Sequence, residues 1–251
     1  MKRIQTFAAY LLVLALAGVS SLKSAEPGHV MGKAIVRSVS GTATFTIPAG
    51  VPEKLRVNME LAPGTTITTG PDSYIYLNVN GLASAVRVAA DTTMVIPTME
   101  RIGSARDSDT ETMLDLKNGE IAGNVKKVTG NSTYEIKTPH GVAGVRGTDF
   151  NVVAGLQPTG EYKVTFTSVT GQLIVSAIVN SETIVKTLNT GESWTPGYGD
   201  VVPSPLELLN QYRTEIDAMI TYFQGAPPPP PPTIPKYPTG SPPSGTPSSP
   251  S

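Results

Sequence analysis

The stretch from Lys137 to Phe150 reads KTPHGVAGVRGTDF, and it spaces three glycines at intervals of three residues around a single arginine, Arg146. These glycines are Gly141, Gly144 and Gly147. Glycine takes positive φ angles without steric cost, and neither a helix nor an ordinary strand favours this spacing. We therefore predict a tight backbone bend here, which joins one strand at 134–138 to another at 148–154.

Outward from this stretch, residues 33–188 alternate between short apolar segments and Gly, Pro or Asn. Residues 74–79 alternate apolar and polar as a half-buried strand does, and Asn80 with Gly81 predicts a two-residue hairpin turn into a strand at 83–89. A second Asn-Gly pair at 118–119 predicts a hairpin between 113–117 and 120–125. The other predicted strands are 34–39, 42–47, 161–169, 173–179 and 183–188. Such a pattern indicates an all-β sandwich, barrel or solenoid.

The string TPHGVAGVRGTDF resembles the signature of the FecR domain family, which is named after an iron-citrate signalling regulator of bacterial envelopes. The resemblance extends over most of residues 33–195 and implies an elongated, two-layer β-helix-like domain there. In the regulator branch of the family, it implies a domain that senses a periplasmic signal and relays it to a sigma factor. This sequence shows no cytoplasmic anti-sigma segment before its first apolar run, so we expect a different role.

The C-terminal part of the sequence changes character. Residues 204–225 predict one amphipathic helix, with Ser204 as N-cap, proline at the first helical position and Gly225 at the end. Its apolar face would comprise Leu206, Leu209, Ile216, Met219, Ile220 and Phe223. We interpret it as a lid on the end of the β domain, or else as a partner-binding helix. Residues 226–251 are proline-rich and predict a disordered tail.

The N-terminal residues 1–25 predict a secretory signal peptide, because a basic start precedes an apolar run that is shorter than a spanning helix needs. The mature chain would begin near Glu26 or Leu22 and would be periplasmic or secreted, with no stable membrane span. The sequence contains no cysteine, which excludes disulfides and thiolate metal sites. Its net charge of −1 gives no electrostatic support for binding nucleic acid.

Motifs for catalysis, cofactors or metals are not evident in the sequence. Only His29, in a segment expected to be loose, and His140, in the glycine-rich bend, could serve as a histidine base. The acidic run at 107–111 resembles the start of a calcium loop but lacks the later ligands, so we interpret it as a solvated loop. We therefore predict no enzyme activity and no cofactor.

The motif residues are the candidate site, either as structural elements or as partner contacts. They are Gly141, Gly144, Val145, Arg146, Gly147, Thr148, Asp149 and Phe150. We interpret Arg146 as partly buried, with its guanidinium bound to backbone carbonyls or to the Asp149 carboxylate. Contact with a partner protein or an anionic ligand is the alternative.

The sequence thus predicts a non-enzymatic binding or scaffolding protein of the bacterial envelope, with an envelope protein or cell-wall component as its partner. A carbohydrate- or peptidoglycan-associated module, with or without hydrolytic activity, is the second interpretation. Clustered surface carboxylates in a cleft would favour it, and the candidates for stacking on a sugar are Tyr74, Tyr76, Trp194 and Tyr198.

Overall fold

A computed structural model describes residues 28–80, 84–103, 108–126 and 130–227. The predicted signal peptide and nearly all of the proline-rich tail lie outside these residues. The described part is predominantly β, with one C-terminal helix, α1, at Leu206–Phe223. Its strands in the N-terminal half are β1 His29–Met31, β2 Ala34–Ser40, β3 Ala43–Thr46, β4 Glu53–Lys54, β5 Glu60–Leu61, β6 Thr66–Thr69, β7 Tyr74–Val79, β8 Ser84–Val88 and β9 Thr93–Gly103. The later strands are β10 Ser108–Val125, β11 Thr133–Thr138, β12 Gly141–Val145, β13 Thr148–Leu156, β14 Tyr162–Thr170, β15 Leu173–Val179, β16 Glu182–Leu188, β17 Glu192–Trp194 and β18 Val202–Pro203.

The strands form two sheets that share β10. Sheet A runs in the order β4–β3–β6–β9–β10–β11–β12–β15–β16, and β1 pairs with the C-terminal end of β9. Sheet B runs in the order β5–β2–β7–β8–β10–β13–β14–β17–β18. Among the described strands neither sheet closes on itself. The β-helix-like stacking implied by the family stays a prediction, since β10–β11 is the one parallel pairing among these strands.

The hairpin predicted at residues 118–119 is wrong. Strand β10 continues through Asn118 and Gly119, and its N-terminal part pairs in sheet A while residues 119–125 pair in sheet B. Gly119 has a φ of 99°, and a Cβ there would lie 2.5 Å from the Thr92 Cα. Glycine is therefore needed because the strand turns a corner against a neighbouring backbone, not because it reverses direction.

The first hairpin is confirmed with a longer connection. Strands β7 and β8 pair with Val79 opposite Ser84, so four residues join them instead of two. Two other expectations fail because the segments pair with strand β9. The acidic run is interpreted wrongly as a loop: from Ser108 onward it belongs to β10, which pairs with β9. His29 lies in β1 and pairs with Ile102 instead of being loose.

One hydrophobic core fills the space between the two sheets. It takes side chains from both, including the fully buried Ile67 and Leu114 from sheet A and Leu77 and Val152 from sheet B. Burying one such side chain stabilises a fold by about 1.5–3 kcal/mol. This core holds the inward faces, so any functional surface must use the outward faces or the edges.

Helix α1 covers the outer face of sheet B, and does not cap the end of the β domain as expected. Its buried Tyr212, Ile216 and Met219 pack on a cluster that includes Tyr74 and Tyr76 of β7. The predicted apolar face was partly wrong, since Leu206 is 75% exposed and Tyr212 was not counted.

The two ends of α1 differ in how well the sequence predicted them. Ser204 does not cap the helix, because its hydroxyl bonds to that of Ser193 and Pro205 occupies the N-cap position. At the C-terminal end the prediction holds: Gly225 has a φ of 108°, and the Gly225 and Ala226 N–H groups bond to the carbonyls of Tyr222 and Thr221. This pair of bonds is the glycine-terminated Schellman motif.

Candidate functional site at the glycine-rich motif

The predicted glycine bend is wrong for most of its length. Residues Gly141–Val145 form strand β12, which lies between β11 and β15 in sheet A. Of the three motif glycines only Gly147 has a positive φ, at 66°. Gly141 instead meets a close backbone, because a Cβ there would lie 2.8 Å from the Ser176 carbonyl oxygen.

Gly144 differs from the other two glycines. A Cβ at this position would have one neighbour within 4 Å, the Ile174 carbonyl oxygen at 3.8 Å. Neither backbone conformation nor packing therefore requires glycine at position 144. The residue lies between Glu135 and Ile174 in the sheet register, so its missing side chain leaves a depression between these two.

This depression is the floor of a shallow groove of about 440 Å³ on the outer face of sheet A, which we name the motif groove. It crosses the start of β11, the end of β12 and the start of β15. The residues that line the groove include Ser132, Glu135, Gly144, Arg146, Gln172 and Ile174.

Arg146 lies exposed at the rim of the motif groove, contrary to the expected partial burial. Among the described residues no hydrogen bond or ion pair engages its guanidinium. Asp149, the expected partner, is occupied elsewhere: its carboxylate accepts bonds from the Asn124 amide, at 2.5 Å, and from the Thr170 hydroxyl. The carboxylate is directed along sheet B, because β13 turns away from β12 at Gly147.

The other motif residues hold this turn together. Val145 and Phe150 are buried in the core. The Thr148 hydroxyl lies 2.8 Å from the Gln172 carbonyl oxygen and 3.2 Å from that of Arg146, so it links the end of β12 to the β14–β15 connection. The motif therefore divides into a buried structural part and an exposed part at Gly144 and Arg146.

An exposed apolar surface continues from the groove along the last two strands of sheet A. Ile174, Ile178 and Val185 are 52%, 74% and 58% exposed. The register places them on the same outward face, with Val185 opposite Ser176 and Ile178 opposite Thr183. We name these three residues the apolar strip. The alternation of β15 was visible in the sequence, but not which of its faces would stay uncovered.

The histidines do not assemble a catalytic arrangement. The His29 Nδ1 lies 3.1 Å from the Glu100 Oε2 at the surface. The ring of His140 packs edge-on against that of Tyr162, with 5.4 Å between centroids. Within the described ranges, no nucleophilic side chain hydrogen-bonds to either imidazole, as a nucleophile and its base would.

The aromatic residues proposed as sugar platforms are not available for stacking. Tyr74 and Tyr76 are buried beneath α1, and Trp194 is buried in the core. Burial is also the main cause that raises the pKa of the Tyr76 phenol above its ordinary range, with a further contribution from Tyr74. Tyr198 is half exposed, but the Lys163 ammonium lies 4.0 Å from its ring centre. The aromatic support for carbohydrate binding is therefore removed.

The family assignment agrees with the sequence motif. The family model for FecR protein matches residues 65–170, from β6 to the end of β14, and this stretch includes the whole glycine-rich motif. This part of the chain is thus similar to the FecR family.

Two solved structures are similar to this chain, both assigned as anti-sigma factors from Parabacteroides distasonis ATCC 8503. The first is 17% identical over 64% of this chain, with a TM-score of 0.41, and the second is 15% identical over 74% of it, with a TM-score of 0.38. The chain covers 65% of the length of each of these proteins. No protein with a curated description matches the sequence.

Helix α1 carries four charged residues, Glu207, Arg213, Glu215 and Asp217. No helix in this part is both long and apolar enough to cross a membrane.

Proposed function

We propose that this protein is an exported, non-enzymatic FecR-domain protein that acts by binding a partner in the bacterial envelope, as part of signal sensing. The signal peptide pattern at residues 1–25 supports export, and the FecR match supports a sensing role. The partner is an envelope protein or a cell-wall component, and the compartment is the periplasm or the cell exterior. The unit that folds around the core extends over residues 33–195, with 204–225 as its helix.

The observation that carries a binding role is the state of Arg146. A guanidinium that supports a fold is buried among carbonyls or paired with a carboxylate. Arg146 is exposed at a groove and makes no such contact with a described residue. Because the fold does not use this charged side chain and the side chain lies at a groove within the glycine-rich motif, we assign Arg146 to recognition.

Capture from envelope extract tests the proposal. The purified wild-type chain should retain an envelope component, and Arg146→Ala should retain much less of it while melting within the experimental error of wild type, since exposed substitutions rarely change stability by more than about 0.5 kcal/mol. Arg56→Ala, another exposed arginine on the N-terminal half, is the matched control and should capture normally. Equal capture by the wild type and Arg146→Ala would refute the role given to Arg146, and so would a clear fall in the melting temperature of that variant.

A further inference from the structure

We infer that the motif groove and the apolar strip form one docking surface, and that its occupant is an extended polypeptide segment carrying a carboxylate followed by aliphatic side chains. This inference rests on the proposed binding function and specifies its site. The argument starts from the uncovered face of sheet A.

The outward apolar side chains of the two sheets differ in burial. The outward tyrosines of sheet B are covered by α1, whereas no described segment covers Ile174, Ile178 and Val185 on sheet A. Three aliphatic side chains on one face, each more than half exposed, form a contiguous patch and not scattered single residues. Contiguous apolar patches beside polar rims mark interaction sites.

The shape of the surface favours an extended chain. Along β15 the outward residues Ile174, Ser176 and Ile178 recur at every second position, about 6.6 Å apart. A peptide lying parallel to β15 in extended conformation presents its alternate side chains at the same spacing. Ser176 and Gly144 are small, so the surface between the aliphatic side chains is low enough for such a peptide to approach.

The edge of the sheet is a poorer site for the same peptide. Strand β16 pairs only with β15 among the described strands, but its Lys186 lies on the core-facing side of this edge and binds the Asp200 carboxylate at 2.7 Å. Inward-pointing charges on edge strands hinder the addition of a further strand. The occupant therefore binds through side chains on the face and does not extend the sheet.

Charge and hydrogen bonding select a carboxylate at the groove end. The Arg146 guanidinium is free of described partners, and Lys137 on the neighbouring strand β11 is also exposed without an ion pair to a described residue. The Ser132 hydroxyl oxygen accepts the Thr110 N–H at 3.0 Å, which leaves its own proton for an incoming acceptor. A carboxylate matches these donors, because bonds to an ionised acceptor are stronger than neutral ones.

Glu135 on the opposite wall adds a second requirement. It is half-buried and lies across Gly144 from Ile174, so an occupant that displaces water from its carboxylate must supply a hydrogen-bond donor instead. The backbone N–H groups of an extended peptide provide such donors, whereas an anion without donors would be repelled. This difference favours an acidic peptide over free phosphate or a sulfated polymer.

Two synthetic peptides test the inference by fluorescence anisotropy with the purified chain. The acidic probe has the labelled sequence DTVTSTVT, and the control KTVTSTVT differs in the first residue alone. The acidic probe should bind about tenfold more tightly than the control, because like charges at a cationic site are unfavourable. Gly144→Val fills the groove floor where the fold leaves room, and it should weaken binding of the acidic probe about tenfold with an unchanged melting temperature. Arg146→Ala should weaken it about fivefold, and Arg56→Ala should not change it.

The inference is overturned if the acidic probe shows no saturable binding, if both peptides bind equally, or if Gly144→Val binds the acidic probe like wild type. Its failure is distinct from failure of the proposed function. An envelope partner captured equally well by wild type and Gly144→Val would place the binding site elsewhere and keep the binding role. If the wild-type chain captures no envelope component but still binds the acidic probe, the proposed envelope partner is refuted and the docking surface is retained.

Discussion

The outer faces of the two sheets carry similar apolar side chains but have different surroundings. On sheet B, Tyr74 and Tyr76 lie beneath α1 and are 3% and 1% exposed, whereas on sheet A the side chains of Ile174 and Ile178 are 52% and 74% exposed. The FecR match ends at residue 170, before the helix and before β15. Strands can thus present the same outward pattern to an internal cover or to solvent, and the difference lies in a segment remote in sequence.

The covered face is also joined to its helix by a buried ion pair. The Arg87 Nη1 lies 3.0 Å from the Glu215 Oε2, with both side chains almost fully buried, and the guanidinium also lies over the Tyr74 ring. At the C-terminal end of the helix, the Tyr222 hydroxyl donates to the Arg37 carbonyl at 2.9 Å. Such directional contacts define how α1 lies on sheet B, which the apolar contacts alone would not do.

The largest effect should follow from deleting α1. Truncation before Leu206 removes four buried side chains, Leu209, Tyr212, Ile216 and Met219, each worth about 1.5–3 kcal/mol, out of a total stability that is typically about 5–15 kcal/mol. Thermal denaturation should show a large fall in the melting temperature or the loss of a cooperative transition. Deleting residues 228–251 is the control and should leave the transition unchanged. A truncated chain without α1 that melts like wild type would show that sheet B does not need its cover.

The next largest effect should come from the ion pair. Glu215→Ala leaves Arg87 buried without its partner, which should cost about 3 kcal/mol in chemical denaturation. Asp217→Ala, an exposed acid on the same helix, should change stability by less than about 0.5 kcal/mol. Replacing both partners together, by Arg87→Met and Glu215→Leu, should recover most of the loss. Equal costs for the single and double variants would argue against a specific pair.

Alanine substitution should destabilise the chain to different extents at Gly147 and at Gly144, because the backbone conformation differs between the two positions. Gly147→Ala forces a Cβ into a positive-φ conformation and should cost about 1–2 kcal/mol. Gly144→Ala has room for its Cβ and should be neutral within about 0.5 kcal/mol. Denaturation midpoints of the two variants decide this, and a Gly144→Ala variant as unstable as Gly147→Ala would show that Gly144 is architectural and not part of a binding surface.

A smaller effect should appear at alkaline pH on the covered face. The pKa of Tyr76 is raised by burial above its ordinary value of 10.0, so the folded state keeps a proton that the unfolded state loses. The stability from this group is complete below pH 10 and falls as the pH rises further, by up to about 1.4 kcal/mol per pH unit. Tyr76→Phe should show a shallower loss between pH 10 and 11 in denaturation titrations. Parallel slopes for both proteins would mean that Tyr76 is accessible to solvent.

Much of the secondary structure was predictable because it depends on local preferences. The strands at 74–79 and 173–179 alternate clearly and were predicted with their observed limits, and the Gly225 helix end was predicted from glycine's tolerance of positive φ. The acidic segment from residue 108 and the strand at 93–103 were missed. The two segments pair with each other, with Ser108 opposite Gly103, but Pro97 and the acidic residues Asp109 and Glu111 interrupt the apolar pattern that marks a strand locally.

The candidate site was predictable as a motif but not as a geometry. The sequence located the FecR signature and Arg146 correctly, but it placed all three glycines in a bend and paired Arg146 with Asp149. In the structure β12 pairs on both sides and Asp149 binds Asn124 and Thr170. Which partner a carboxylate takes depends on which strand lies beside it, and that is decided by sheet order.

By itself, then, the amino-acid sequence determined the predominantly β character, the similarity to the FecR family, the position of the helix and the glycine that ends it. The tertiary structure alone decided that Asn118 and Gly119 form a corner between two sheets, that α1 covers sheet B, and that Gly144 and Arg146 stay open on sheet A. The physical reason is that alternation and glycine content describe what a backbone can do locally. Burial of a given face depends on a second segment packing against it, and that contact forms only when the whole chain has folded.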